Sequence, residues 1–349
     1  MKAFGKMGLA IVAVLMTCLA FTSCDDGDGL DLGNSKDLVG TWVYCQDGIF
    51  EVLTINADGT ILSNGVEDGE SWQGVKGSWS LDKEKLVMIF EDDDNFVGTV
   101  EVTAGKTLTM INSTDNSRVV YRNAESSLPA NFVGTWSSIS AGYAEVLQIS
   151  ADGSVVSAGL EGTEDYWDNV NGRIVVADNF ISMVFEDNDD FVGQYELVDK
   201  ETFVLVNVQT GERTTYRYCE NDLADEIQGT WKNIGSSWEK NPDLNYQTFN
   251  EDGSIVHYYY LSEEEGWDVV TGYTYNVVGD LLVRITPKEY VDKGTPSYSA
   301  LQLVYTPDET LGDVLNMVSF TFFDDEVLQA TVSWLRVEEP LDLPDSILK

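Results

Sequence analysis

The tripeptide Gly-Thr-Trp occurs three times, as Gly40-Thr41-Trp42, Gly134-Thr135-Trp136 and Gly229-Thr230-Trp231. The intervals are 94 and 95 residues, so a domain-sized unit has been copied in tandem. Other blocks recur in step. Glu51-Val-Leu-Thr-Ile-Asn-Ala-Asp-Gly59 matches Glu145-Val-Leu-Gln-Ile-Ser-Ala-Asp-Gly153, and the third copy keeps Asn250-Glu-Asp-Gly253. Trp-x-x-Val-x-Gly begins at Trp72, Trp167 and Trp267. An acidic block, Phe90–Gly98 and Phe185–Gly193, is missing from the third copy, which carries a longer stretch over Thr286–Ala300.

Within the first copy, eight short runs separated by turn residues read as strands: 41–45, 50–56, 60–64, 74–81, 86–91, 96–103, 107–112 and 118–122. Asp58-Gly59 is a hairpin signal, because Gly takes φ > 0 at no steric cost. Strands at this spacing, short connections and no 3.6-residue apolar period predict an all-β chain. The architecture expected is three tandem small up-and-down antiparallel β-barrels of about eight strands each.

Gly-x-Trp on the first strand and an Arg on the last resembles the lipocalin signature, and most closely the short lipocalin-like domain of bacterial lipoproteins. The resemblance implies that Trp42 pairs with Arg122, Trp136 with Arg217 and Trp231 with Arg336. The ring would close one barrel end and the guanidinium would stack on it. The Thr-Asp-Tyr motif of classical lipocalins is absent and each copy is about half their length. The resemblance therefore implies the fold more than a lipid-carrying cavity.

The chain start sets the expected compartment. Lys2 and Lys6 followed by an apolar stretch from Met7 to Phe21 read as a signal peptide over residues 1–23. Phe21-Thr-Ser-Cys24 resembles the lipobox of bacterial lipoproteins, with Phe where Leu is usual, which makes Cys24 the lipidation site. The acidic Asp25-Asp-Gly-Asp-Gly29 is similar to the surface-export signal of Bacteroidota lipoproteins. The resemblance implies an outer-membrane lipoprotein exposed at the cell surface; the alternative is a periplasm-facing protein on an acidic linker. Residues 24–37 form the tether, followed by barrels at 38–124, 130–220 and 226–338 and a tail at 339–349.

A net charge of −40 repels nucleic acid and anionic lipid and favours a monomer, so the expected membrane contact runs only through the N-terminal lipid. Once Cys18 leaves and Cys24 is acylated, Cys45 and Cys219 remain at non-equivalent positions, and two free thiols are expected. The one histidine, His257, falls where the other copies have Ser63 and Ser157. No catalytic triad, zinc spacing or phosphate loop is present, so no enzyme, no metal site and no cofactor is expected. The acidic stretches Glu91–Asn95 and Glu186–Asp190 read as solvated hairpin tips rather than calcium loops.

Residues 226–349 hold 13 of the 25 Trp and Tyr, which makes the third barrel the candidate for recognition. Trp72, Trp167 and Trp267 are candidate ligand-stacking residues, with core as the competing assignment, and Tyr258 and Tyr260 share one strand face opposite Tyr259. The function expected is binding of a small or glycan-like ligand. The alternative is a surface spacer or adhesion protein with filled barrels and a protein partner.

Overall fold

A computed structural model describes residues 35–46, 48–103, 106–124, 128–140, 142–220, 222–236, 245–307, 312–323 and 326–337. The signal peptide, Cys24, most of the tether and the tail lie outside these residues.

The chain is all-β and forms three closed eight-stranded barrels in tandem. Barrel 1 runs β1 (Gly40–Gln46), β2 (Ile49–Ile55), β3 (Thr60–Glu67), β4 (Glu70–Asp82), β5 (Lys85–Phe90), β6 (Phe96–Thr103), β7 (Thr107–Asn112) and β8 (Arg118–Asn123). Barrel 2 runs β9 (Gly134–Ser140), β10 (Tyr143–Ile149), β11 (Ser154–Glu161), β12 (Asp165–Ala177), β13 (Phe180–Phe185), β14 (Phe191–Leu197), β15 (Thr202–Val206) and β16 (Arg213–Tyr218). Barrel 3 runs β17 (Gly229–Ser236), β18 (Tyr246–Phe249), β19 (Ser254–Ser262), β20 (Gly266–Val278), β21 (Leu281–Ile285), β22 (Tyr298–Thr306), β23 (Val314–Phe323) and β24 (Glu326–Val337). Each strand pairs antiparallel with the next and the last closes on the first, the meander that the short connections predict. Closure leaves no unpaired sheet edge.

The tether expected over residues 24–37 ends in structure, because Ser35–Leu38 is a short helix, α1. It belongs to a plug that recurs. Leu38, Phe132 and Ile227 are each buried at one barrel end, four residues before the signature tryptophan. The indole Nε1 of Trp42, Trp136 and Trp231 donates to their backbone oxygens at 2.8, 2.9 and 2.7 Å. Burying the three indoles, each worth about 150–250 Å² of contact area, fixes that end. Their polar N–H is satisfied by the segment that they hold down.

The barrels also pack side by side. Val43, Phe50, Val52 and Val66 on the outer wall of β1–β3 cluster with Val175 and Val192 of barrel 2, and Phe50 stacks on Phe180 at 5.4 Å. The corresponding wall of barrel 2, with Ala144 and Val146, clusters with Leu281 and Val283 of barrel 3, and Tyr166 stacks on Tyr298 at 5.2 Å. The same side of each barrel thus meets the β12–β14 or β20–β22 side of the next. Cys45 and Cys219 are free thiols at these joints, donating to Asp178 at 3.3 Å and Asp280 at 3.2 Å.

Candidate functional site

At the plugged end the signature departs from its expected form. Arg336 sits opposite Trp231 in the strand ladder and its guanidinium carbon lies 4.6 Å from the ring centroid. It also donates to the carbonyl oxygens of Gln228 and Glu226. Arg122 and Arg217 do not stack. They pair with Val43 and Ser137, one residue past the tryptophan, and their side chains are exposed. The residues opposite Trp42 and Trp136 are Asn123 and Tyr218, and Tyr218 meets the Trp136 ring edge-on at 5.2 Å. A one-residue offset along a strand moves a side chain to the other face, which is why a shared Arg near the strand end misleads. The signature glycine has a steric basis: φ is +140° at Gly134, and a Cβ there would fall 2.4 Å from the Tyr218 ring.

At the opposite end, barrels 1 and 2 each enclose a buried carboxylate with its partners. Glu51 accepts from Ser63 at 2.9 Å and Tyr121 at 2.7 Å, and Ser63 in turn accepts from Trp72 Nε1 at 2.9 Å. Glu145 accepts from Ser157 and Tyr143, both at 2.7 Å, and from Tyr216, while Ser157 accepts from Trp167 Nε1 at 2.8 Å. Burial pushes the Glu145 carboxyl upward against the hydrogen bonds that favour its charge, and burial with the adjacent glutamate pushes Tyr121 and Tyr216 upward. The space left beside Glu145 is about 80 Å³, room for about two or three waters.

The tryptophans of this network lie flat on a glycine. A Cβ at Gly65 would come within 2.2 Å of Trp72, and one at Gly159 within 2.3 Å of Trp167. In barrel 3 that position is Tyr259, which leaves no room for the ring. The register irregularity that lies at 63/65 and 157/159 is displaced to 255/257 and 260/262, so Trp267 pairs with Tyr260 rather than with the inward residue. Trp267 is therefore on the outer wall, half-buried, 5.4 Å from Tyr260 and 5.9 Å from Tyr246. Tyr258 pairs with Tyr246 on the same outer wall, while His257 and Tyr259 face inward, as the alternation predicts.

Of the ligand-stacking candidates, Trp72 and Trp167 are committed to structural hydrogen bonds inside their barrels. Tyr258, Tyr260 and Trp267 line an external face. The acidic hairpins direct oxygens to their own backbone: Asn95 and Asp190 accept from the N–H of Phe90 and Phe185, both at 2.8 Å. An open cleft of about 390 Å³ between barrels 1 and 2 has Val66, Phe180 and Val206 among its walls, and among the described residues no orphaned polar group lines it.

The interior of barrel 3 is built differently at this end. His257 replaces Ser63 and Ser157, and Gln247 opposite it replaces Leu53 and Leu147. Ladder alignment places Arg284 where barrels 1 and 2 have the core residues Met88 and Met183, and Thr286 follows where they have Phe90 and Phe185. Tyr273 takes the place of Gly77 and Gly172, on which those phenylalanines rest. In place of the acidic hairpin comes a loop with a short helix, α2 (Lys288–Val291), whose Tyr290 stacks on Tyr273 at 5.6 Å.

The polar groups gathered here are not satisfied. His257 Nε2, Arg284 Nε, Thr286 Oγ1 and Trp334 Nε1 are all shut off from solvent with no hydrogen-bond partner. His257 is only 5% exposed and Thr286 7%. Arg284 keeps some contact with solvent; its hydrogen bond is a long one to Ser299 at 3.5 Å, and it lies 5.5 Å from the Tyr273 centroid. Burial and the nearby guanidinium push His257 down to about 3, and burial pushes Arg284 below its ordinary value. The sequence singles out His257, its one histidine, but not Arg284. The available signal was a rare arginine, one of seven, interrupting the apolar run Leu281–Ile285.

No family model matches this chain, and no curated protein matches it. Among solved structures it is similar to a DNA polymerase sliding clamp from Pseudomonas aeruginosa, at 9% identity over 87% of this chain and 93% of that one, with a TM-score of 0.14. It is also similar to the isotype 1 transferrin binding protein B from serogroup B Neisseria meningitidis, at 11% identity over 84% of this chain and 67% of that one, with a TM-score of 0.20. At such scores neither likeness bears on fold or function.

Proposed function

We propose that the chain is a non-enzymatic binding protein held to a membrane by lipidated Cys24, in which barrels 1 and 2 are solid supports and barrel 3 takes a small or glycan-like ligand. The outward-facing, cell-surface placement rests on the sequence around Cys24. One observation carries the binding assignment. Barrel 3 keeps the orphaned atoms of His257, Arg284, Thr286 and Trp334 in its interior beneath an added loop, at the end where Glu51 and Glu145 of barrels 1 and 2 are hydrogen-bonded; Asn64, Ser117, Arg173 and Ser182 are orphaned groups of those two barrels. An unmade buried hydrogen bond costs about 1–3 kcal/mol, a cost that a bound ligand removes.

A thermal-shift screen of the full chain against neutral and acidic mono- and oligosaccharides and small metabolites tests this. Ligands should raise the melting temperature of the wild type and leave an H257S/R284M variant, which restores the residue types of the other barrels, unshifted. A panel in which nothing stabilises the wild type would sink the assignment.

A second reading has its own observation. Tyr246, Tyr258, Tyr260 and Trp267 occupy the wall that in barrels 1 and 2 receives the next barrel. That wall suits a spacer or adhesion protein with a protein partner. Changing Tyr258 and Tyr260 to serine would separate the two readings, by abolishing partner capture while leaving small-ligand shifts intact.

A further inference from the structure

We infer that the ligand of barrel 3 carries a carboxylate, with Arg284 as its counter-charge and His257 Nε2 and Thr286 Oγ1 as hydrogen-bond partners beside the Tyr273–Tyr290 pair. The inference rests on barrel 3 being the binding module and deepens that reading.

Three observations converge. First, the chain has 60 acidic residues and only 20 Lys and Arg, yet Arg284 makes no ion pair among the described residues. A buried guanidinium without a counter-charge is costly, and the cost is recovered only with an anion in reach. Second, the swap of Met88 and Met183 for Arg284 turns an apolar core position into a cationic one on the same backbone. It comes with Phe90 and Phe185 giving way to Thr286, so a hydroxyl donor arises two residues along the chain from the guanidinium. Third, the loop covering this end brings Lys288 and Lys293, with Lys293 5.1 Å from the Tyr290 ring centroid, where barrels 1 and 2 present acidic hairpins. Glu289 and Asp292 balance these two lysines, so the loop is neutral where the hairpins of barrels 1 and 2 are strongly acidic, and it repels an anion less than they would.

Guanidinium suits a carboxylate because its planar donors match the two oxygens. The neutral His257 ring offers Nε2 as a further donor. The rings of Tyr273 and Tyr290 provide a flat wall for the body that bears the acid. An acidic sugar and an aromatic acid share this chemistry.

Calorimetric titration of the full chain with D-glucuronate and D-glucose, and with benzoate and benzyl alcohol, distinguishes them, with sodium sulfate as a general-anion control. At least one acid should bind, and its neutral counterpart should bind weaker by about 10- to 100-fold, the usual worth of a charge-assisted contact. R284M should remove that preference while raising the melting temperature of the unliganded protein. T286V, which keeps the charge, should weaken the acid by about tenfold or less. Equal affinity for acid and neutral partner, unchanged in R284M, would overturn the carboxylate while leaving barrel 3 as a binding module. So would sulfate matching the acids, or no heat from either acid at millimolar concentration. If R284M lowered the melting temperature and T286V bound as wild type does, Arg284 would be a structural residue and the inference would fall.

Discussion

Barrels 1 and 3 have the same strand order and the same plugged end, yet they close their other end by opposite means. Barrel 1 buries an acid and surrounds it with donors: Ser63 and Tyr121 serve Glu51, and Trp72 serves Ser63. Barrel 3 buries donors, His257 and Arg284 among them, and no acid pairs with them among the described residues. The backbone tolerates both. A barrel of eight strands is held by its ladder and its apolar lower core, so the residues at one mouth are free to vary. Where they form a complete network they act as filler; where they do not, they advertise what is missing.

The largest test of this contrast concerns the two tryptophans that share a motif but not a face. Trp72→Ala removes a ring that is 7% exposed and should cost about 3–5 kcal/mol in denaturant unfolding. Trp267→Ala removes a half-buried ring on the outer wall and should cost clearly less, about 1 kcal/mol. Equal losses would mean that the register shift at Tyr260 does not separate the two barrels.

Acid and base should pull the barrels in opposite directions. His257, pushed down to about 3 from 6.5, binds fewer protons folded than unfolded between those values, so stability falls as pH drops through that window. Arg284, Tyr259 and Tyr273 are the groups that face it. Glu145, pushed above 4.5, binds more protons folded than unfolded, so its contribution is complete below 4.5 and is lost as pH rises through its folded value. Tyr143, Tyr216, Asp187 and Asp189 face it. Melting curves across pH should show H257S flattening the acid limb and E145Q flattening the rise-in-pH limb. A mutant that flattens the wrong limb breaks the comparison.

The smallest effect lies at the joints. Burial and the neighbouring aspartates push the thiols of Cys45 and Cys219 up to about 12, so both should alkylate more slowly at pH 8 in the folded chain than in urea, read by peptide mass mapping. Labelling at the unfolded rate would mean that the joints open freely.

Much of the architecture was legible. The Gly-Thr-Trp interval gave the copy number, and the eight runs of the first copy match β1–β8 to within a few residues, because turn residues and alternation are local properties. The site was legible only in part. The pairing of Arg122 and Arg217 with the tryptophans failed because facing depends on register, which closure of β8 and β16 on β1 and β9 sets. Trp72, Trp167 and Trp267 share one motif spacing and so carry one pair of candidate assignments in sequence, ligand-stacking or core, although Trp267 lies on the outer wall. The deciding residue, Tyr259 in place of a glycine, lies on the neighbouring strand. Arg284 is hidden in a strand that reads as apolar, and only the ladder shows that it stands in a methionine's place.

The side-by-side packing has a consequence for how the molecule comes apart. Val43, Phe50 and Val52 are core residues of no single barrel; they are dry only while barrel 2 stands against them. Losing any one barrel strips apolar surface on its neighbour, so the heat-capacity trace should show fewer transitions than there are barrels. Nearest-neighbour coupling of this kind makes the middle unit the last to melt and the ends the first to fray. At the first end, Ser80 and Lys85 stand where barrel 2 has Val175 and Phe180, so that barrel already presents a wetted outer side. The third barrel ends in tyrosines, and among the described residues no further barrel stands against its free side.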